Sequence, residues 1–404
     1  MDKDKLSLYY IRLKDKTLNI SLRPVVAAAM SKGVKVHKVV YGEPKSKLTA
    51  SELFTDKSAK KPVLIYIHGG GWVQGSNTIR NPYCSRIADL GFYVLNINYE
   101  LAPDAPHPAQ VRNIFRAVSY VFEKKDEYNL DTDSIFFGGD SAGAHLAALA
   151  AGVTVNQRLY DGFEIDFAQK DVFKVKGLIM ICGVFEFVSC RHSDFPNMFL
   201  YLKAYSGYDV RELENENGFL ERQDIKDMCP VTLVNPEYPP CIVLSGEKDP
   251  LRFSSDVFCD TLQNNGVKTA AFRGTGRYSL HCFPLYDGNE NGKKAMKEVY
   301  AFLHEILGEN YGLNKIGAAP VDSNEIGGSV LKQSSGTYDG NESAEQTEKD
   351  GGILNQPSGA SGGENTAERT KKADANKAEL NRRSRIDTKA QSEEQAEIAA
   401  DIYE

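Results

Sequence analysis

The chain has 404 residues, 41% of them hydrophobic, which is enough to bury a substantial core in one large domain or in two or three small ones. Its formal net charge of −7 gives no basic surface of the kind that nucleic-acid binding requires. The seven cysteines are odd in number and include no C-x-x-C pair. This count argues against a disulfide framework and against a zinc finger.

The first residues, Met1 to Lys5, are mostly charged and lack the apolar stretch of a secretory signal. No run in the sequence approaches the roughly 18 apolar residues of a membrane span. We therefore expect a protein of the reducing cytoplasm without a membrane span.

Short apolar runs alternate with longer amphipathic segments along residues 1–311. The predicted strands are 62–67, 92–97, 134–137, 175–181, 240–244 and 268–272. The predicted helices are 109–127, 142–156, 254–264 and 290–307. Strands that alternate with helices indicate βαβ units. We therefore expect an α/β fold with a mostly parallel central sheet flanked by helices.

Two parts of the chain depart from this rhythm. Residues 184–235 are aromatic and irregular, which indicates an insertion, and we expect it to form a cap over the sheet edge together with residues 1–35. Residues 312–404 are rich in Gly, Ser, Glu and Lys and cannot bury enough apolar surface to offset the entropy of ordering. We expect a disordered, charged tail, and a tail that docks a partner is the alternative.

The segment Gly139-Asp140-Ser141-Ala142-Gly143 lies between a predicted strand and a predicted helix. A G-x-S-x-G turn in that context is very tight, so that small residues flank an exposed serine nucleophile at the carboxyl edge of the sheet. The alternative is a serine in an ordinary glycine turn. The strand–turn–helix context favours the nucleophile.

A run of glycines follows the strand 62–67, in His68-Gly69-Gly70-Gly71-Trp72. Consecutive glycines let backbone N–H groups approach a ligand and point at it. An anionic tetrahedral intermediate needs such donors, each of which lowers the barrier by about 2.7–4 kcal/mol. The amides of Gly70 and Gly71, together with that of Ala142, are the predicted oxyanion-hole donors.

The remaining residues of these two motifs, His68, Gly69, Trp72 and Asp140, are predicted to form the loop and line the substrate. A phosphate loop is a poor alternative because no Gly-Lys-Ser/Thr follows the glycines. A dinucleotide-binding loop is also disfavoured, because Gln74 stands where G-x-G-x-x-G requires glycine.

An acid and a base complete the pattern. Asp249 comes just after the strand 240–244, on the same carboxyl edge as the nucleophile, with Glu247 as the alternative acid. Of the seven histidines, only His281 lies between the last predicted strand and the last helix. The order Ser, Asp, His is the one expected for hydrolases with this turn. Ser141, Asp249 and His281 are therefore the predicted catalytic triad.

These motifs, with Asp249-Pro-Leu251, His281-Cys-Phe283 and the segment 99–103, resemble those of the hormone-sensitive-lipase-like carboxylesterases of the α/β-hydrolase fold. The resemblance covers about residues 1–311. It implies a helical cap, short- to medium-chain acyl esters as substrates, and neither metal nor cofactor. Glu100 replaces the family's usual arginine, and Ala144 replaces its second glycine after the nucleophile.

We therefore expect a serine carboxylesterase, similar to an acetyl esterase, that acts on a small-molecule ester through an acyl-enzyme. An arylformamidase-like amide hydrolase is the first alternative, because it can share the glycine loop and the serine turn. A non-catalytic binding protein on the same fold is the second, although it normally has a damaged triad. The sequence does not determine the oligomeric state.

Overall fold

The structure is a computed structural model that describes residues 3–44, 46–191, 193–208 and 222–314. Except for its first three residues, the predicted tail lies outside the described residues. Residues 209–221 of the predicted insertion also lie outside them.

Within these ranges, eight strands form one sheet. They are β1 (Lys35–Val40), β2 (Thr49–Phe54), β3 (Lys61–Ile67), β4 (Tyr93–Ile97), β5 (Leu130–Asp140), β6 (Gly177–Ile181), β7 (Cys241–Gly246) and β8 (Thr269–Gly274). Their order across the sheet is β1-β2-β4-β3-β5-β6-β7-β8. β1 and β2 pair antiparallel at one edge, and all pairs from β4 to β8 are parallel. The predicted mostly parallel sheet is confirmed.

Helices cover both faces of the sheet. They are α1 (Lys3–Ser21), α2 (Arg23–Ala28), α3 (Asn81–Asp89), α4 (Ala109–Tyr128), α5 (Ala142–Thr154), α6 (Arg158–Gly162), α7 (Phe187–Arg191), α8 (Met198–Ser206), α9 (Gln223–Lys226), α10 (Arg252–Asn264) and α11 (Glu290–Leu307). Helices α4, α5 and α10 contribute to one core cluster, whereas α3 and α11 contribute to the other. None of the helices in the described ranges is both long and apolar enough to cross a bilayer.

The central strand β3 shows why the two cores form. All its residues are buried. Val63, Ile65 and Ile67 belong to one core cluster, whereas Leu64 and Tyr66 belong to the other. Because successive side chains of a strand point to opposite faces, an uninterrupted apolar run fits a parallel sheet that is covered on both sides.

Several elements of the structure, among them β1, β2 and α3, have no counterpart in the predicted set. β2 contains Glu52, whose buried carboxylate accepts hydrogen bonds from the hydroxyls of Tyr93, Tyr120 and Tyr128 at 2.7, 2.8 and 2.8 Å. These three donors come from distant parts of the chain. A charged residue in a core strand therefore interrupts the local apolar pattern, and only tertiary contacts make its burial possible.

The turn from β5 into α5 lies against the end of β3. A Cβ atom on Gly143 would lie 2.0 Å from the carbonyl oxygen of Ile67, and one on Gly139 would lie 2.6 Å from the same oxygen. Real Cβ contacts are never so short. Both flanking glycines are therefore required for the backbones to approach this closely.

Helix α1 lies beside the glycine loop that follows β3. The Arg12 guanidinium donates to the Val73 carbonyl at 2.9 Å, and the Asp15 carboxylate accepts from the Gly75 amide at 3.1 Å. Lys203 of α8 pairs with Asp4 of α1 at 2.8 Å. The N-terminal helix and the insertion therefore contact each other, and the helix also contacts the loop.

We expect Gly143→Ala to lower the free energy of unfolding by about 1–3 kcal/mol, because the added methyl group overpacks the contact with Ile67. Urea denaturation followed by circular dichroism measures the change. Gly162→Ala is the control, since a Cβ there meets no atom within 4 Å. Equal stability of the two variants would contradict the close approach.

Candidate active site

Ser141 occupies a strained turn between β5 and α5. Its backbone angles are φ 53° and ψ −122°, a conformation that non-glycine residues rarely adopt. The Ser141 amide donates to the Ile181 carbonyl at 2.8 Å, which fixes the turn to the end of β6. The serine therefore stands at the carboxyl edge of the sheet, directly before a helix, as the sequence motif predicts, but it is buried and not exposed as expected.

Asp249 and His281 are in direct contact. Asp249 lies in the loop after β7 and is fully buried, and His281 lies in the loop after β8. The Nδ1 atom of His281 is 3.0 Å from Oδ1 of Asp249, and the same oxygen accepts from the Leu251 amide at 2.9 Å. Glu247, the alternative acid, is exposed and instead accepts from the Gly276 amide at 2.9 Å.

Neighbours of Ser141 and His281 connect the two loops. The Oδ2 atom of Asp140 lies 4.0 Å from Sγ of Cys282. Asp140 directly precedes the serine and Cys282 directly follows the histidine. The contact between Asp140 and Cys282 therefore joins the turn that carries Ser141, the predicted nucleophile, to the loop that carries His281, the predicted base.

Pairing shifts the pKa values of Asp249 and His281 in opposite directions. Burial by itself raises the pKa of the Asp249 carboxyl, but the charge of His281 and its hydrogen bond hold that pKa below its ordinary value. Burial lowers the pKa of His281, but interactions with Asp249 and, after it, with Cys282 outweigh burial, so that this pKa lies above its ordinary value. The carboxylate therefore favours a proton on the imidazole.

The glycine loop presents free backbone amides. Gly70 and Gly71 have φ angles of +129° and +58°, in the region that glycine adopts without strain. No backbone carbonyl of the described residues accepts a hydrogen bond from the amides of Gly70, Gly71 or Ala142. These donors are available to a ligand at the carboxyl edge of the sheet.

His68 and Trp72 support this loop from behind. His68 is buried, stacks on the Tyr99 ring at 4.4 Å, and its Nδ1 lies 2.8 Å from the Gly69 carbonyl. Burial lowers the pKa of His68 to about 4, so it is neutral at pH 7. The Trp72 indole is also buried and donates to Nδ1 of His145 at 3.2 Å.

His68, Gly69 and Trp72 lie in the loop after β3, and Asp140 is the last residue of β5. The side chains of His68, Trp72 and Asp140 are buried and hydrogen-bonded to protein groups, and their part in lining the substrate stays a prediction. We interpret them as the support of the loop.

Arg80 is a residue that sequence reasoning missed. Its Nε and Nη2 atoms donate to the two carboxylate oxygens of Asp140 at 3.1 and 2.7 Å. The Tyr66 hydroxyl donates to Oδ1 of the same carboxylate at 3.0 Å. The only sign of this ion pair in the sequence is that no acidic residue lies near Arg80 along the chain, so that its partner must come from a distant segment.

Two aromatic side chains of the predicted insertion reach the site. The Phe195 ring meets the His281 imidazole edge-on, with 4.8 Å between the centroids. The Tyr201 ring lies against Gly71, where a Cβ atom would be 2.7 Å from it. The insertion therefore contacts both the base and the glycine loop.

Cys182, Asp249 and His281 place one potential metal ligand each within 4.8 Å of one another. A thiol must lose its proton to bind a metal ion, and burial raises the pKa of the Cys182 thiol well above its ordinary value. Two possible ligand atoms, Asp249 Oδ1 and His281 Nδ1, are already hydrogen-bonded to each other. This geometry favours an acid–base pair over a metal centre.

Two curated esterases are similar to this chain. Esterase LipQ of Mycobacterium tuberculosis is 31% identical over 260 residues, which cover 63% of this chain and 58% of that protein. An acetyl esterase of Salmonella schwarzengrund is 28% identical over 219 residues, which cover 53% of this chain and 63% of that protein. The chain thus spans about three fifths of the length of these relatives.

Solved structures share the fold. Esterase B from Lactobacillus rhamnosis has a TM-score of 0.64 at 20% identity, covering 78% of this chain and 100% of that one. The Pyrobaculum calidifontis esterase has a TM-score of 0.58 at 23% identity, covering 76% of this chain and 94% of that one. Together with the sheet topology, these similarities identify the α/β-hydrolase fold.

The family model described as BD-FAE matches residues 52–255, which include the glycine loop, the serine turn and Asp249. This match covers half of the chain. The chain therefore belongs to the BD-FAE family, among the hormone-sensitive-lipase-like α/β-hydrolases.

Proposed function

We propose that the protein is a serine carboxylesterase that hydrolyses short- to medium-chain acyl esters through an acyl-enzyme. The observation that carries the proposal is the hydrogen bond between His281 and buried Asp249, on the sheet edge where Ser141 directly precedes helix α5. The family match and the esterase relatives support the same reaction class.

In the first half of the reaction, Ser141 Oγ attacks the ester carbonyl carbon while His281 Nε2 takes its proton. Asp249 holds the imidazole in the tautomer that leaves Nε2 free and stabilises the imidazolium that forms. The tetrahedral intermediate then collapses as His281 gives the proton to the leaving alcohol. The acyl group remains on Ser141.

In the second half, water enters and His281 takes one of its protons while the hydroxide attacks the acyl carbon. The second tetrahedral intermediate releases the carboxylic acid, and the proton returns to Ser141 Oγ. Each intermediate carries a negative charge on the former carbonyl oxygen. The free amides of Gly70, Gly71 and Ala142 are the donors that would bind it.

We assign the catalytic domain to residues 1–311 and its cap to residues 1–35 and 184–235. Support comes from Phe195 and Tyr201, which reach His281 and Gly71 from the insertion. All seven cysteines, which lie in the described ranges, are free thiols, consistent with the reducing cytoplasm.

Loss of the nucleophile is the first test. We expect Ser141→Ala to lower kcat for p-nitrophenyl butyrate by a factor of order 10⁶, the loss seen when the serine of a protease triad is removed. A fluorophosphonate probe should label the wild type and not the variant. Ser119→Ala, on the outer helix α4, is the control. A Ser141→Ala variant with most of its rate would refute the proposal.

The acid limb of the pH–rate profile is the second test. The base must be neutral, and Asp249 raises the pKa of His281 above its ordinary value of 6.5. We therefore expect kcat/KM to rise with pH with a midpoint above 6.5. Asp249→Asn should move that midpoint to lower pH and reduce kcat by about 10⁴-fold, as in a serine protease. An unchanged midpoint would contradict the pairing.

A substrate panel is the third test. We expect p-nitrophenyl acetate and butyrate to be hydrolysed with a higher kcat/KM than N-formyl anilides, because a phenolate leaves more readily than an amine and the curated relatives carry esterase names. Hydrolysis of both classes is followed with the same enzyme preparation. A preference for the N-formyl amide would instead support the arylformamidase-like alternative.

A further inference from the structure

A second buried carboxylate, besides Asp249, lies next to the nucleophile. Asp140 is fully buried and directly precedes Ser141. Its two oxygens accept both forked donors of Arg80 and the Tyr66 hydroxyl. The triad mechanism assigns no step to any of these three side chains.

The carboxylate touches both segments that would carry the oxyanion donors. A Cβ on Gly69 would lie 2.5 Å from Asp140 Oδ2 and 3.0 Å from the Ser141 Cβ. The carboxylate thus lies against the glycine loop, beside the nucleophile. It is therefore close to the place where the substrate's carbonyl oxygen becomes negative.

An unpaired anion at this place would act against the reaction in two ways. It would repel the charge that develops on the substrate oxygen, and low-dielectric surroundings strengthen that repulsion. Burial without a partner would also penalise the ionised form. Arg80 reduces both the repulsion and the cost of burial, because its guanidinium forms a bidentate ion pair with the carboxylate.

From this arrangement we infer that Arg80 is a positioning residue for hydrolysis. It neutralises the charge of Asp140, so that the oxyanion donors face no opposing charge. It also holds Asp140 against the glycine loop, so that these donors keep their geometry. The inference rests on the proposed esterase function and extends it to a residue outside the triad. Arg80 acts through Asp140 and needs no contact with the substrate.

The pKa of Asp140 is consistent with this role. Burial raises it, but the charge and hydrogen bonds of Arg80 outweigh burial and hold it below its ordinary value. Titratable side chains from several elements interact with the carboxylate. They are Tyr66 on β3, His68 in the glycine loop, Arg80 before α3, Tyr83 and Cys84 on α3, Tyr99 after β4 and Cys282 in the His281 loop. Burial keeps the hydroxyls of Tyr83 and Tyr99 and the thiol of Cys84 protonated, since it raises their pKa values.

Tyr66 and His68 do not replace the cation. Burial raises the pKa of the Tyr66 hydroxyl, so it stays protonated, and burial lowers the pKa of His68 to about 4, so it stays neutral. The Cys282 thiol lies 4.0 Å away, at the limit of a hydrogen bond. Without Arg80, the pKa of Asp140 should rise, because burial remains while the opposing cation is lost.

The experiment compares four variants of the full chain with the wild type in p-nitrophenyl butyrate hydrolysis across pH. They are Arg80→Gln, Arg80→Lys, Asp140→Asn and the double variant Arg80→Gln/Asp140→Asn. Arg158→Gln is the matched control, because Arg158 forms a bidentate pair with Asp227 on the surface, at 2.8 and 2.6 Å. Circular dichroism and thermal unfolding check that each variant folds.

We expect Arg80→Gln to lower kcat about 10- to 100-fold with KM nearly unchanged, within the range of coupling between contacting charged residues. The ratio of its kcat to that of the wild type should increase as the pH falls, because protonation removes the unpaired charge of Asp140. Asp140→Asn in the same background should restore most of the rate and abolish this pH dependence. Arg80→Lys should retain more activity than Arg80→Gln.

Three results would overturn the inference: a kcat of Arg80→Gln within about twofold of the wild type, an equal loss in the single and double variants, or a loss that does not vary with pH. If Arg80→Gln does not fold, the double variant compared with Asp140→Asn still tests the coupling, and a tenfold difference between those two would contradict it. A wild type without Ser141-dependent hydrolysis would overturn the proposed function as well. If only the inference about Arg80 is wrong, the wild type still shows Ser141-dependent hydrolysis.

Discussion

The site depends on one backbone contact, in which the carbonyl of Ile67 at the end of β3 lies against Gly143 at the start of α5. β3 leads into the glycine loop, and α5 begins directly after Ser141. The contact therefore sets the distance between the free loop amides and the strained serine. Any side chain at this crossing would push the two apart, which is why the turn needs glycine on both sides of Asp-Ser-Ala.

Two buried carboxylates lie at this edge of the sheet, and each has a basic partner. Asp249 pairs with His281, and Asp140 pairs with Arg80. The partners differ in a way that matters for chemistry, since an imidazole can gain and lose a proton near neutral pH whereas a guanidinium stays charged. One pair can therefore transfer protons while the other holds a fixed charge distribution. Burial strengthens both interactions by excluding water from around the charges.

Much of this arrangement could be predicted from the sequence. β3, β7 and the second half of β5 are largely apolar and end at the glycine loop, the Asp249 loop and the serine turn, and parallel strands place those ends at one edge. β2 could not be predicted in the same way, because Glu52 interrupts its apolar pattern and is stabilised by three tyrosine hydroxyls from other elements. Arg80 was missed for the same reason, since its partner is 60 residues away along the chain.

The sequence by itself determined strands β3 to β8, helices α4, α5, α10 and α11, the serine turn, the glycine loop and the succession Ser141, Asp249, His281, because apolar periodicity and glycine requirements are local properties of the chain. Only the tertiary structure decided that His281 binds Asp249 while Glu247 binds a backbone amide, and that Arg80 neutralises Asp140. Those choices depend on which loops meet at the sheet edge and which charges are buried there. Water is excluded from these charges only once the chain has folded, and from that point each buried charge needs a partner.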